Sequence, residues 1–381
     1  MCKLYLVSYY FAPLGRADGV NRTYLVKYLS EMGWDIDVVT GENYRSVVLN
    51  FQQDPALLNV LPGSINIQRF KSDQGWLMYD LKKTLNIRNN LRRSWIQEAV
   101  DQAQFDKKGI VYAVVPAIDN AVLAYQLAEK HGCPLVLHLV DDTCDIDPVI
   151  VKRADLVFGA TEQIQKNTSA FYGIETVLPM PNGITDLLDI PEQKKAGLPV
   201  RIAYAGSLNF RTQPEIFARA CQRLIKQDPA FGKQIEVDFY GPRGYYPTLR
   251  LTPYLGPQIR FKGYLSFNEL MRVLTQYDMA LASVKGEISF VSKVYHYLNA
   301  GLPIFALDDC GGLRDFVEQN QIGTASSLNI DDVAGRIKAV LADKDRISSW
   351  RGNVLKVRHQ YGLKESAFKM SEALKALQAK I

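Results

Sequence analysis

Short runs of consecutive apolar residues alternate along this chain with longer stretches whose apolar positions recur every three or four residues. The first kind reads as strands buried on both faces, the second as amphipathic helices. In the first half, strands are predicted over residues 4–8, 36–40, 65–70, 110–115, 135–140, 156–160 and 176–178. Helical patterns at 21–32, 76–104 and 120–131 lie among them. Residues 186–198 (DLLDIPEQKKAGL) break the rhythm: polar, with one Pro and one Gly, they read as a linker. The pattern restarts with strands over 200–205, 235–240, 259–262, 279–283 and 304–307, and after residue 330 it is helical to the end. Alternation of this kind implies βαβ units and parallel sheets. The expected fold class is α/β, two doubly wound, Rossmann-like domains in succession with C-terminal helices. The boundaries are expected at 1–185, 186–198 for the linker, 199–355, and 356–381 for a C-terminal helical segment able to pack back on the first domain.

A length of 381 residues agrees with this, being more than one hydrophobic core usually supports. Apolar residues make up 47% and charged residues 22%, as in ordinary globular enzymes. The net charge of +5 suits anionic ligands or an acidic membrane surface and is too small to argue for nucleic acid. Cys2, Cys133, Cys144, Cys221 and Cys310 are scattered and form no C-x-x-C pair, so they read as reduced thiols rather than a disulfide frame or a zinc site. Residues 3–8 lack the basic region and long apolar core of a signal peptide. No apolar run approaches the ~20 residues of a spanning helix. A cytoplasmic protein, at most peripheral on the cytoplasmic face of the membrane, is expected. Residues 76–100 mix Lys82, Lys83, Arg88, Arg92 and Arg93 with Trp76, Leu77, Leu81, Leu85, Leu91 and Trp95. That segment reads either as a helix on anionic lipid or as a solvated helix packed on the first domain.

The stretch 291–303 (VSKVYHYLNAGLP) carries the most chemistry. It is a short helix stopped by Gly301 and Pro303 that runs into a buried strand. A strand, 278–283, and an irregular segment, 284–289, precede it. Strand, loop and helix start is where an open α/β sheet presents backbone amides to a phosphate. Lys293 adds a positive charge to that place. A plain helix–strand junction with a surface lysine is the bland alternative.

Lys293, Tyr297, Gly301 and Pro303 match the K-x-x-E-Y-x-x-x-G-x-P pattern of GT-B glycosyltransferases, and the chain resembles this group (the group 1 type). His296 stands where the family has a ribose-binding Glu. Three more fragments fall in the family's order. Residues 9–22 (YYFAPLGRADGVNR) resemble the acceptor-side loop, placing Gly15, Arg16, Asp18 and Arg22 there. The ADLV and PNGI fragments beginning at Ala154 and Pro181 are similar to the signature closing the first domain, and YAGSL from Tyr204 to the one opening the second. The resemblance implies two domains facing across a cleft, with Gly206, Ser207, Arg211, Gly241, Lys293, His296 and Tyr297 on the donor side. Small residues at 206–211 allow close backbone approach to a pyrophosphate, and Arg211 would add a charge-assisted contact or stand at a helix start. Gly241 would line the nucleotide-base pocket or form a plain turn.

Residues 135–147 (LVLHLVDDTCDID) form a strand ending in carboxylates, placed for proton abstraction from a sugar hydroxyl. Asp141 matches the catalytic aspartate of xanthan glucuronosyltransferase-like enzymes, and Asp142 takes that role after a one-residue slip. His138, within the strand, is either a core or a catalytic residue. Asp145 and Asp147 spell a D-x-D metal motif, but Asp147 before Pro148 reads better as a helix start, and no metal site is expected. The implied activity is metal-independent transfer of a hexose, with no cofactor beyond a nucleotide-diphosphate sugar, UDP-linked, to a glycan or polyprenyl-linked acceptor in bacterial surface polysaccharide biosynthesis. A nucleotide-sugar epimerase of the same fold and a catalytically silent GT-B binding protein remain open as alternatives.

Overall fold

The computed structural model describes residues 2–42, 52–71, 81, 92–141, 145–190, 197–208, 212–242, 249–286 and 292–380. The first sheet contains β1 (Cys2–Val7), β2 (Trp34–Gly41), β3 (Asn66–Phe70), β4 (Ile110–Val115), β5 (Leu135–Leu139), β6 (Leu156–Gly159) and β7 (Leu178–Pro179), in the order β3-β2-β1-β4-β5-β6-β7. All its pairs are parallel. The second contains β8 (Val200–Ala205), β9 (Ile235–Tyr240), β10 (Ile259–Gly263), β11 (Met279–Val284), β12 (Ile304–Asp308) and β13 (Gly323–Ser326), in the order β10-β9-β8-β11-β12-β13, also parallel. Parallel strands need helical crossovers and so are covered on both faces. That is why IVYAVV in β4 and MALASV in β11 are buried at every position.

Side chains and glycines set where the crossover helices begin and end. Thr161 accepts the Ile164 N–H (3.2 Å) and Asn329 accepts those of Asp331 and Asp332, each satisfying donors at a helix start. Ser266 and Glu269 form a reciprocal capping box. Gly132 and Gly173, at φ +61° and +63°, close the helices Ile118–His131 and Glu162–Tyr172 in the left-handed conformation.

The chain divides into two compact units, Met1–Gly183 with Leu363–Ile381, and Ile184–Gly362. In the first, the terminal helix Leu363–Gln378 packs on Ala17–Glu31, and Trp34 donates its indole N–H to the Ser371 hydroxyl (2.8 Å). In the second, Asn299 ties down residues 186–188 of the stretch expected as a linker: its Nδ2 donates to the Asp186 carbonyl and its Oδ1 accepts the Leu188 N–H, both at 2.9 Å. Composition alone cannot show an anchor supplied from 111 residues away. Asn299→Ala should cost roughly 1–2 kcal/mol of unfolding free energy in urea, because it removes two part-buried hydrogen bonds to the backbone. Residues 191–196 lie outside the described residues.

Candidate functional site

In each sheet the chain winds outward one way from the first strand and the other way from the fourth. The crevice between those two strands, beyond their carboxyl ends, is where open α/β sheets bind ligands. In the second unit these strands are β8 and β11. The chain leaves β8 at Gly206, whose φ of +137° suits glycine, and the Gly206 N–H donates to the Tyr240 carbonyl (2.9 Å). Gly241 lies beneath it: a Cβ there would sit 2.2 Å from the Gly206 carbonyl oxygen. Gly241→Ala is therefore expected to spread the ends of β8 and β9 and cost roughly 1–3 kcal/mol, read as a lower urea midpoint.

The helix Lys293–Asn299 follows β11 and carries three of the donor-side candidates. The Lys293 amine donates to the Tyr204 hydroxyl (2.7 Å), lies 4.1 Å from the centre of that ring, and comes within 3.2 Å of where a Gly206 Cβ would be. Tyr204 is held in turn by donating to the Ser207 carbonyl (2.8 Å). Among the described residues no carboxylate pairs with Lys293, and burial pushes its amine from 10.5 down to about 7. His296, one turn on, meets Phe267 edge to face at 5.3 Å, and its Nε2 is buried without a partner among the described residues. Burial, with the Lys293 charge, holds His296 down at about 4, so it is neutral at pH 7. The Ser283 hydroxyl, in β11, is also buried and unpartnered among the described residues.

Tyr297 faces the sheet instead. Its hydroxyl accepts the Ala205 N–H (2.9 Å) and faces the carbonyls of Leu281 (3.0 Å) and Ala205 (3.2 Å), to one of which it donates. It staples β8 to β11 and so positions the helix bearing Lys293. Arg211 lies outside the described residues.

In the first unit the corresponding strands are β1 and β4. Asn120 joins the loops beyond them, accepting the Tyr9 N–H (2.9 Å) and donating to the Val114 carbonyl (2.6 Å). Arg22 does the same, donating to the carbonyls of Tyr10 (3.2 Å) and Pro116 (2.6 Å). Gly15 donates to the Gln52 carbonyl (2.9 Å), while Arg16 pairs with Asp18 at 3.5 Å and stands over the Tyr10 ring. Arg22 is thus turned inward as an anchor, and Arg16 and Asp18 remain partly exposed.

Asp141 is exposed just beyond β5, and Asp142 lies outside the described residues. His138, left open as a core or a catalytic residue, is buried within β5. Tyr112 donates to its Nδ1 (2.7 Å), and its Nε2 donates to the Met180 carbonyl (2.9 Å). Both ring nitrogens are engaged, and burial lowers the ring to about 4. Asp147 accepts the Val149 N–H (2.9 Å) as the cap of helix Pro148–Arg153.

Part of the basic, aromatic stretch 76–100 also turns inward. Residues 72–80 and 82–91 lie outside the described residues, but Trp95 is fully buried and Arg92 pairs with Asp119 at 2.6 Å. Among the described residues no helix is long and apolar enough to cross a membrane.

No family profile and no curated protein sequence matches the chain. Solved structures do. Sucrose-phosphate synthase from Thermosynechococcus elongatus superposes with a TM-score of 0.71 at 14% identity, over 100% of both chains. TarM gives 0.69 at 13% identity over 98% of each. HepE of Anabaena, solved in complex with UDP-glucose, gives 0.66 at 15% identity over 99% of this chain and 100% of its own. The fold is GT-B. At these identities the GT-B likeness is one of architecture, and the chemistry of this chain has to be argued from its own side chains. Sequence reasoning singled out Lys293 and His296 but missed Ser283 and the role of the Tyr204 ring. The signal for both is strand position: Tyr204 and Ser283 each stand one residue before the end of β8 and β11, the two strands that flank the crevice.

Proposed function

We propose that this protein is a glycosyltransferase moving a hexose from a UDP-linked donor to a glycan or polyprenyl-linked acceptor in surface polysaccharide assembly. The observation that carries the reading is the Lys293 amine at the β8–β11 crevice, enclosed by Tyr204 and Gly206 and matched by no carboxylate among the described residues. A half-buried cation without a counter-ion is costly, and a diphosphate supplies the missing charge. The Ser283 hydroxyl and the His296 ring, both with unmet hydrogen-bonding capacity, suit the polar parts of the same ligand. The solved complex of HepE with UDP-glucose supports a UDP-linked donor.

Stabilising the leaving diphosphate then falls to Lys293 and Arg211 rather than to a metal, and Asp141 would take the proton from the acceptor hydroxyl. The test is calorimetric titration with UDP and UDP-glucose in EDTA, followed by incubation with UDP-glucose and product analysis. Binding without metal, with release of UDP, is expected. If folded protein binds no nucleoside diphosphate, the donor site is misassigned. Binding without turnover would favour a silent binding protein, a reading that the replacement of the family's Glu by His296 keeps in play.

A further inference from the structure

The helix Asp345–Val357 and the turn after it bury two arginines that the donor site does not use. Arg351 is 4% exposed and Arg358 is 8% exposed. Seven residues apart, they stand two helical turns from each other on one face. The Nε of each is buried without a partner among the described residues. Arg358 donates through Nη1 to the Asn299 carbonyl (3.2 Å), whereas Arg351 makes no hydrogen bond or ion pair among the described residues.

Among the described residues, the charges around them do not neutralise the pair. Asp278 attracts Arg351 without forming an ion pair, and one of its oxygens already accepts the Arg201 N–H (2.8 Å). Asp189 attracts Arg358 from an exposed position, and Arg351 lies within the field of Arg358. Two largely buried guanidinium groups, repelling each other and paired with no carboxylate among the described residues, are unfavourable unless an anion completes the site. Their forked donors match the oxygens of a tetrahedral oxyanion.

We infer that Arg351 and Arg358 form a second anion site, separate from the Lys293 site, that takes a phosphate-class oxyanion. The site would join helix Asp345–Val357 to the Asn299 turn and to residues 186–190, and its occupant would act as a structural ion or a regulatory one.

The test is thermal unfolding of the full chain with inorganic phosphate, against sodium chloride at equal ionic strength. Wild type and Lys293→Ala should both gain roughly 2–4 °C in Tm at saturating phosphate, and Arg351→Gln should gain nothing. Lys293→Ala removes the donor site as the source of the effect. In phosphate-free buffer Arg351→Gln should unfold no earlier than wild type, since no partner is lost. Should Arg351→Gln fail to fold, Arg351→Lys keeps the charge but not the fork, and its phosphate midpoint should rise at least about fivefold. No stabilisation of wild type by phosphate, an equal gain in Arg351→Gln, or an unchanged midpoint in Arg351→Lys would each overturn the site.

Discussion

Asp141→Asn is expected to lower turnover roughly 10²- to 10⁴-fold while leaving UDP affinity within about twofold. The amide is nearly isosteric with the carboxylate but cannot accept a proton, so the loss should fall on the chemical step. Asp141 stands where the backbone leaves β5: the Val140 N–H still bonds the Val115 carbonyl (2.8 Å), and the next residue is exposed. A carboxylate in that place faces solvent rather than core. Asp142→Asn tests the register of the strand end. A larger loss there moves the assignment by one residue and keeps the mechanism. Less than tenfold slowing in both variants would mean that transfer does not use this strand end as its base, and a retaining reaction, which needs no such base, becomes the better account.

The fold was legible because parallel strands are written as unbroken apolar runs, and the run at 110–115 is the strand Ile110–Val115. β13 escaped because GTAS is short and half polar. It pairs with β12 by placing a side-chain-free residue against it: a Cβ on Gly323 would lie 1.9 Å from the Ile304 carbonyl oxygen. The site was legible at Lys293, where a helix follows a strand. Long-range partners decided the rest. Nothing near His138 in the chain reveals that Tyr112 and Met180 occupy both its nitrogens. Nothing near Arg22 shows that it spans the Tyr10 and Pro116 carbonyls rather than reaching outward. The place of Asp141, by contrast, follows from the end of the strand Leu135–Leu139 alone.

Lys293→Ala should weaken UDP binding by roughly 1.5–3 kcal/mol in calorimetry, through loss of one charge-assisted contact to the diphosphate. The fold should survive, since Tyr297 and not Lys293 staples β8 to β11. Protonation gives a sharper signature. With its value lowered to about 7, the free protein's Lys293 amine is largely neutral by pH 8, whereas in the unfolded chain it stays charged to about 10.5. Unfolding therefore takes up a proton between those limits, and this group makes the folded state relatively more stable as pH rises from about 7 towards 10. A bound diphosphate restores the charge. Binding above pH 7 must then be accompanied by proton uptake, and UDP affinity should fall on the order of 50-fold between pH 7 and 9. The nucleotide contributes little to that slope, because its terminal phosphate has a second pKa of about 6. His296, held at about 4, and the phenol of Tyr204, raised by burial, do not titrate in this window. Calorimetry in buffers of different ionisation enthalpy measures the uptake directly, and Lys293→Ala should abolish both uptake and slope. A pH-independent affinity in wild type, or a slope that survives in Lys293→Ala, would place the diphosphate away from this amine.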